Sequence, residues 1–114
     1  MYSKELLKGT ISAIVLKLLS EKDRMYGYEI SQRVKEITGG KIQLKDGSLY
    51  PALQKMTSDG LLTFQEEQVG GRTRKYYSLT RQGELAKIAE MDALAEFIQT
   101  IRLVVFPEIK GTVQ

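Results

Sequence analysis

The chain has no cysteine, no histidine and no tryptophan, and only two prolines in 114 residues. Without cysteine there is neither a disulfide frame nor a thiolate metal site. Without histidine the chain lacks the commonest metal ligand and the usual general base near neutral pH. Carboxylates are present, but no pair of them falls on a recognisable catalytic motif. GGRTRK (70–75) lacks the spacing of a phosphate-binding loop. A protein that is not an enzyme, and needs no cofactor or metal, is the expectation. Unbroken apolar runs such as Leu103 to Phe106 are far too short to span a bilayer. Lys4, Glu5 and Lys8 do not form the pattern of a signal peptide. A cytoplasmic, soluble protein with no membrane partner is expected.

What is there is ordinary in amount and uneven in placement. Apolar residues make up 42% of the chain and charged residues 27%, both globular values. The length suits one small domain with an appended element, a size often helped by a partner subunit. Net charge is +3, yet residues 1–82 hold 14 basic against 9 acidic side chains, a net of +5. Residues 83–114 hold 3 against 5, a net of −2. A basic body suggests an anionic partner, nucleic acid first; the plain alternative is a surplus of solubilising lysines.

Ile11, Ile14, Val15, Leu18 and Leu19 recur as the apolar stripe of a helix, expected over about residues 4–20. After the charged turn from Glu21 to Arg24, a second helix starts near Tyr26-Gly27. It carries Ile30, Val34 and Ile37 on one stripe and stops at Gly39-Gly40. Ile42 and Leu44 alternate in the linker KIQL, which is compatible with one short strand. The stretch KDGSLYPALQKMTSDGLL (45–62) holds a third helix, starting between Asp46 and Ser48, with one of these as its cap. Pro51 then belongs to the first turn, where amides have no helical partner and a proline forfeits little. Leu49, Leu53 and Met56 make the buried stripe, and Gly60 closes the helix. Such a helix head favours anions.

Beyond Gly60 the period changes to two. Leu61 to Gln68 and Thr73 to Leu79 alternate on either side of VGGR, whose Gly70-Gly71 is a hairpin signal. Thr80 caps a last helix that meets no proline until Pro107, about 26 residues and roughly 39 Å. Three helices followed by a hairpin is the order of a winged helix-turn-helix. The expected fold is mainly α with a small β-hairpin. A winged helix-turn-helix domain spans 1–80, a long C-terminal dimerisation helix 81–106 and a flexible tail 107–114.

Three stretches, MYGYEISQRV (25–34), DGSLYPALQKMTSDGLL (46–62) and GGRTRKYYSLTRQG (70–83), together resemble the PadR family of bacterial transcriptional regulators. The order and spacing match over about residues 5–83. The short length and single final helix are similar to the small subfamily, which includes multidrug-sensing repressors. The resemblance implies a homodimer that binds double-stranded DNA through its winged helix-turn-helix. It also implies repression relieved by a small molecule or other signal. Two recognition helices related by a two-fold axis would read a near-palindromic operator. A winged helix used only as a protein-interaction module, without specific DNA binding, is the alternative; the basic wing and helix head argue against it.

In such a fold Ser48 and Tyr50 offer hydroxyls to phosphates or base edges, and Lys55 supplies charge further along the helix. Tyr50 and Gln54 lie four apart, off the Leu49/Leu53/Met56 stripe. Alternatively, Tyr50 packs as a partly buried aromatic and Ser48 only caps. Arg72 and Arg74 are the expected DNA contacts of the wing, against a solvated hairpin whose charges merely deter aggregation. Arg74 and Lys75 point to opposite faces, so at most one of these two contacts DNA well. Tyr28 opens the second helix and meets phosphate there; otherwise Gly27 permits a close helix approach and the tyrosines pack.

A final helix this long and apolar needs more cover than a body of about 80 residues provides, and a second copy of the chain is the simplest cover. Leu94, Ile98, Ile101 and Val105 are the expected dimer interface. Some short relatives bind flat aromatic drugs between the two last helices, stacking them on a tryptophan from each subunit. Aligned from YSLTRQG onward, Leu94 stands at that position here. Leu94 and Phe97 then line an apolar effector pocket, with Asp92 and Glu96 flanking it to pair with a cation. The stacking face itself is missing. The competing reading is a closed, well-packed interface without a pocket.

Overall fold

A computed structural model of the protein describes residues 2–108. The single helix expected over 4–20 is two: α1 (Lys4–Lys8) and α2 (Ile11–Glu21). Thr10 makes the break, since its N–H and its hydroxyl both donate to the Leu7 carbonyl at 2.9 Å. The turn costs α1 its share of the core, because α1 buries no residue. By contrast α2 buries Ile11, Ala13, Val15, Leu16, Leu18 and Leu19, most of its circumference, and forms the centre of the molecule.

After α2 come β1 (Met25–Tyr26), α3 (Gly27–Ile37), α4 (Asp46–Ser58), β2 (Leu62–Val69), β3 (Arg72–Leu79) and α5 (Arg81–Val105). The hairpin β2–β3 is joined on its β3 side by β1, giving an antiparallel sheet of order β1-β3-β2. Sequence pattern alone does not show β1, which exists through pairing of Met25 with Tyr77 and Tyr26 with Tyr76. The linker KIQL forms no strand. Its Leu44 is buried, and the Ile42 N–H donates to Thr38 Oγ1 at 3.0 Å. Ile37 is 58% exposed rather than on the buried stripe. It is the last residue of α3, and the chain turns away through Gly39 and Gly40, both at positive φ.

Helix α4 starts at Asp46 with Lys45 as its N-cap, so Pro51 falls in the second turn rather than the first. Its missing N–H leaves the Gly47 carbonyl without a helical partner. Neither Asp46 nor Ser48 caps the helix. The Lys45 carbonyl accepts instead from the N–H groups of Ser48 (3.0 Å) and Leu49 (2.8 Å). Asp46 still places a negative charge at the positive end of the helix.

Leu16, Ile30, Leu49 and Leu53 are almost wholly inaccessible to solvent. Full burial stabilises each by roughly 1.5–3 kcal/mol. They join α2, α3 and α4 into one core that Met25, Leu62 and Tyr77 extend into the sheet. Thr80 ties three elements at one point. Its hydroxyl donates to the Gly60 carbonyl at 2.6 Å and accepts from the Gly83 N–H at 3.0 Å, while its own N–H donates to the Leu61 carbonyl at 3.1 Å. From that joint α5 runs beyond the body. The radius of gyration is 15.9 Å, against about 13 Å for a compact chain of this length.

Candidate nucleic-acid interface

The head of α3, the exposed side of α4 and the wing strands enclose a groove of about 1160 Å³. Tyr28, Tyr50, Gln54, Arg72 and Arg74 all line it, together with Lys75.

Tyr50 packs as a partly buried aromatic and keeps part of its surface exposed. Its ring packs over Gly27, where an added Cβ would lie 2.6–2.8 Å from the far edge of the ring and its hydroxyl. Yet Tyr50 remains 44% exposed. Gly27 is thus small because α4 presses a tyrosine against the start of α3. Burial, and then the neighbouring Asp46 charge, push the Tyr50 phenol above its ordinary pKa. Burial likewise raises Tyr77, with Tyr50 the second cause. Both hydroxyls keep their protons and remain donors through neutral pH. The α3 head is set by Glu29, whose Oε1 accepts from the Tyr26 N–H at 3.2 Å and whose Oε2 pairs with Lys22. Tyr28, 60% exposed, stacks on Tyr26 with ring centroids 6.4 Å apart.

At about 100° per residue, Gly47, Pro51, Gln54 and Ser58 form the crest of α4 opposite the Leu49/Leu53/Met56 face. Tyr50 flanks the crest on one side and Lys55 on the other. Lys55 does not line the groove and donates to Asp59 Oδ2 at 3.0 Å. Ser48 is half-buried and also lies outside the groove lining. The crest glycine and Ser58 escaped the sequence reading, although both are a whole number of turns from Pro51.

At the wing tip Gly70 and Gly71 take φ of +57° and +77°, as a two-residue hairpin turn requires. Arg72 follows them, exposed and without an ion pair among the described residues. The other basic groups nearby are engaged. The Arg74 guanidinium lies 4.2 Å from the Tyr26 ring centroid, and Lys75 Nζ lies 4.6 Å from that of Phe64.

On α5, Leu94 is half-buried, while Phe97, Ile98, Ile101 and Val105 are exposed. Helical geometry puts these five on the side that carries Gly83 and Ala86, which face the body. The seating face of α5 therefore continues as an apolar surface past the end of its own subunit. Asp92 and Glu96 fall on the opposite side of the helix, not beside Leu94. Among the described residues no helix is long and apolar enough to cross a membrane.

Residues 15–88 match the model of the transcriptional regulator PadR-like family. An uncharacterised protein of Lysinibacillus sphaericus is 34% identical over 85 residues, covering 74% of this chain and 77% of that protein. The negative transcriptional regulator PadR of Bacillus subtilis is 34% identical over 67 residues, 58% of this chain but only 37% of its own length. A crystal structure of B. subtilis PadR in complex with operator DNA matches with a TM-score of 0.65 at 29% identity, covering 72% of this chain and 47% of that one. A transcriptional regulator from Clostridium thermocellum matches with a TM-score of 0.82 at 25% identity, over 90% and 99% of the two chains.

Proposed function

This chain belongs to the PadR-like family of transcriptional regulators, and from that premise we propose that it is a homodimeric, sequence-specific repressor acting in the cytoplasm. The observation that carries the reading is the convergence of Gln54 and Ser58 from the α4 crest, Tyr28, Tyr50 and Arg72, which has no ion pair among the described residues, on one groove. In this reading α4 enters the major groove of a duplex. Gln54 reaches base edges, Tyr28 and Tyr50 donate to phosphates, and Arg72 meets the backbone beyond the recognition helix. Ser48 and Lys55 contribute from the Lys55 side of the crest, where a bound duplex would extend.

The second subunit covers the distal half of α5. Leu94, Ile98, Ile101 and Val105 pack against the partner, whose α1 offers the exposed Leu6. A two-fold axis then places two α4 heads on the half-sites of a near-palindromic operator. An apolar effector binds at Leu94 and Phe97 between the two final helices and shifts their spacing. Lacking a tryptophan there, the site takes planar cations weakly. Thermal-shift screening of planar cationic dyes on the wild type and Leu94→Trp tests this: a larger shift in the variant supports it, and tight stacking by the wild type contradicts it.

For DNA binding the test is selection of duplexes from a random-sequence pool, followed by gel shift at two salt concentrations. A regulator enriches a near-palindrome and loses it as salt rises. A protein-interaction module shows no salt-sensitive shift.

A further inference from the structure

Two basic side chains beside the wing are already engaged by aromatic rings. The Arg24 guanidinium lies 4.2 Å from the Tyr76 ring centroid, and its Nη1 donates to Glu67 Oε2 at 2.5 Å. Arg74 sits over Tyr26, again at 4.2 Å. Tyr26 and Tyr76 meet edge to face at 5.4 Å, and Tyr28 stacks on Tyr26. The result is a continuous ladder of three tyrosines and two guanidinium groups, ending in a carboxylate.

Sheet register builds it. Tyr26 stands opposite Tyr76 and Arg74 opposite Glu67, and alternate positions of a strand share a face. The ladder spans the turn after α2, the head of α3 and both strands of the wing. Apolar burial joins these parts at the base of the hairpin, through Met25, Leu62 and Tyr77, but not further out along the wing. Buried side chains in the hairpin are confined to Leu62 and Tyr77, at its base.

We infer that Arg24 and Arg74 are positioning residues: the ladder sets the angle of the wing against α3 and α4 and so places Arg72 on the operator, while neither guanidinium contacts DNA itself. This rests on the DNA-binding reading above. It gives Arg74 a role different from the phosphate contact that its place in a basic wing suggests.

The test is a double-mutant cycle on a duplex selected from a random pool by the wild-type protein. Affinity is read by anisotropy between about 50 and 200 mM salt. Arg72→Ala removes one phosphate contact from each of the two wings and flattens the salt slope by about 1.8. Arg74→Ala is expected to flatten it as much, and the double variant no further than Arg72→Ala alone. Additive losses of about 3.6 in the double variant would make Arg74 an independent phosphate contact and overturn the proposal. No loss in Arg74→Ala would overturn it as well. A DNA-free arm separates the ladder from the DNA reading. The chain has no cysteine, so spin labels on cysteines placed at Lys35 and Gln68 report the distance from α3 to the wing, with labelled protein diluted into unlabelled. A narrow distribution that broadens in Arg24→Ala and in Arg74→Ala supports the ladder. Equal widths refute it. If selection yields no salt-sensitive duplex, the DNA reading fails, whatever the labels show.

Discussion

Gly47 has no conformational need to be glycine. It is helical without a positive φ, and a Cβ built there meets nothing within 4 Å. Alanine is favoured over glycine in a helix interior by about 1 kcal/mol, and less near a helix end. A bare crest does let a partner approach the backbone closely. Gly47→Ala is therefore expected to raise stability by a few tenths up to about 1 kcal/mol while weakening duplex binding several-fold. Chemical denaturation and anisotropy on the one variant check both halves, and unchanged affinity would rule out close approach. Tyr50 and Tyr77 carry a second prediction. Their folded pKa values lie above the ordinary 10.0. The stability linked to them is fully present below the unfolded value and is lost as pH rises through the folded one. Stability should hold through neutral pH and fall above about pH 10. Tyr50→Phe and Tyr77→Phe should each lessen that alkaline loss. A urea series across this range that shows the same loss in both variants would assign it to other groups.

Among the elements, the seat of α5 is the least tolerant. A Cβ at Gly83 would lie 2.1 Å from the Leu61 carbonyl oxygen, a backbone atom that cannot swing aside. Gly83→Ala is expected to destabilise by about 1–3 kcal/mol or more, as overpacking does. A variant as stable as the wild type would mean that α5 can shift along β2 and β3 at little cost. Element ends were readable where a glycine at positive φ or a capping hydroxyl marks them. Gly60, at φ +83°, closes α4 with the Leu61 N–H donating to the Met56 carbonyl at 2.9 Å. Gly70-Gly71 and Thr80 act as locally. The break between α1 and α2 was not readable, because Gly9 keeps a right-handed helical conformation and only the Thr10 bonds end the turn. Nor was β1, whose two residues become a strand only by meeting Tyr76 and Tyr77. The site shows the same division. Tyr50, Gln54 and Arg72 could be picked from helical spacing and a glycine turn. The engagement of Arg74 could not, because its ring partner Tyr26 lies on another element.

As a whole the molecule is a winged body with a helix that outruns it, 56 Å in its longest dimension and 21 Å in its shortest. The overhanging face exposes Phe97, Ile98, Ile101 and Val105, and exposed apolar surface of this kind marks interaction sites. Ile98→Asp combined with Ile101→Asp is expected to yield monomers or aggregates. Sedimentation equilibrium checks this, and an intact dimer from that variant would place the interface elsewhere. In the proposed dimer two α4 heads and two wings would face the duplex, which predicts an electrostatic, two-fold footprint on DNA. The most direct measurement is therefore an anisotropy titration of the selected duplex across a salt series, with the stoichiometry read at saturation. The prediction is two chains per duplex and a log affinity that falls linearly with log salt, by about 0.9 for each phosphate neutralised. Absent binding, or binding indifferent to salt, would contradict the account.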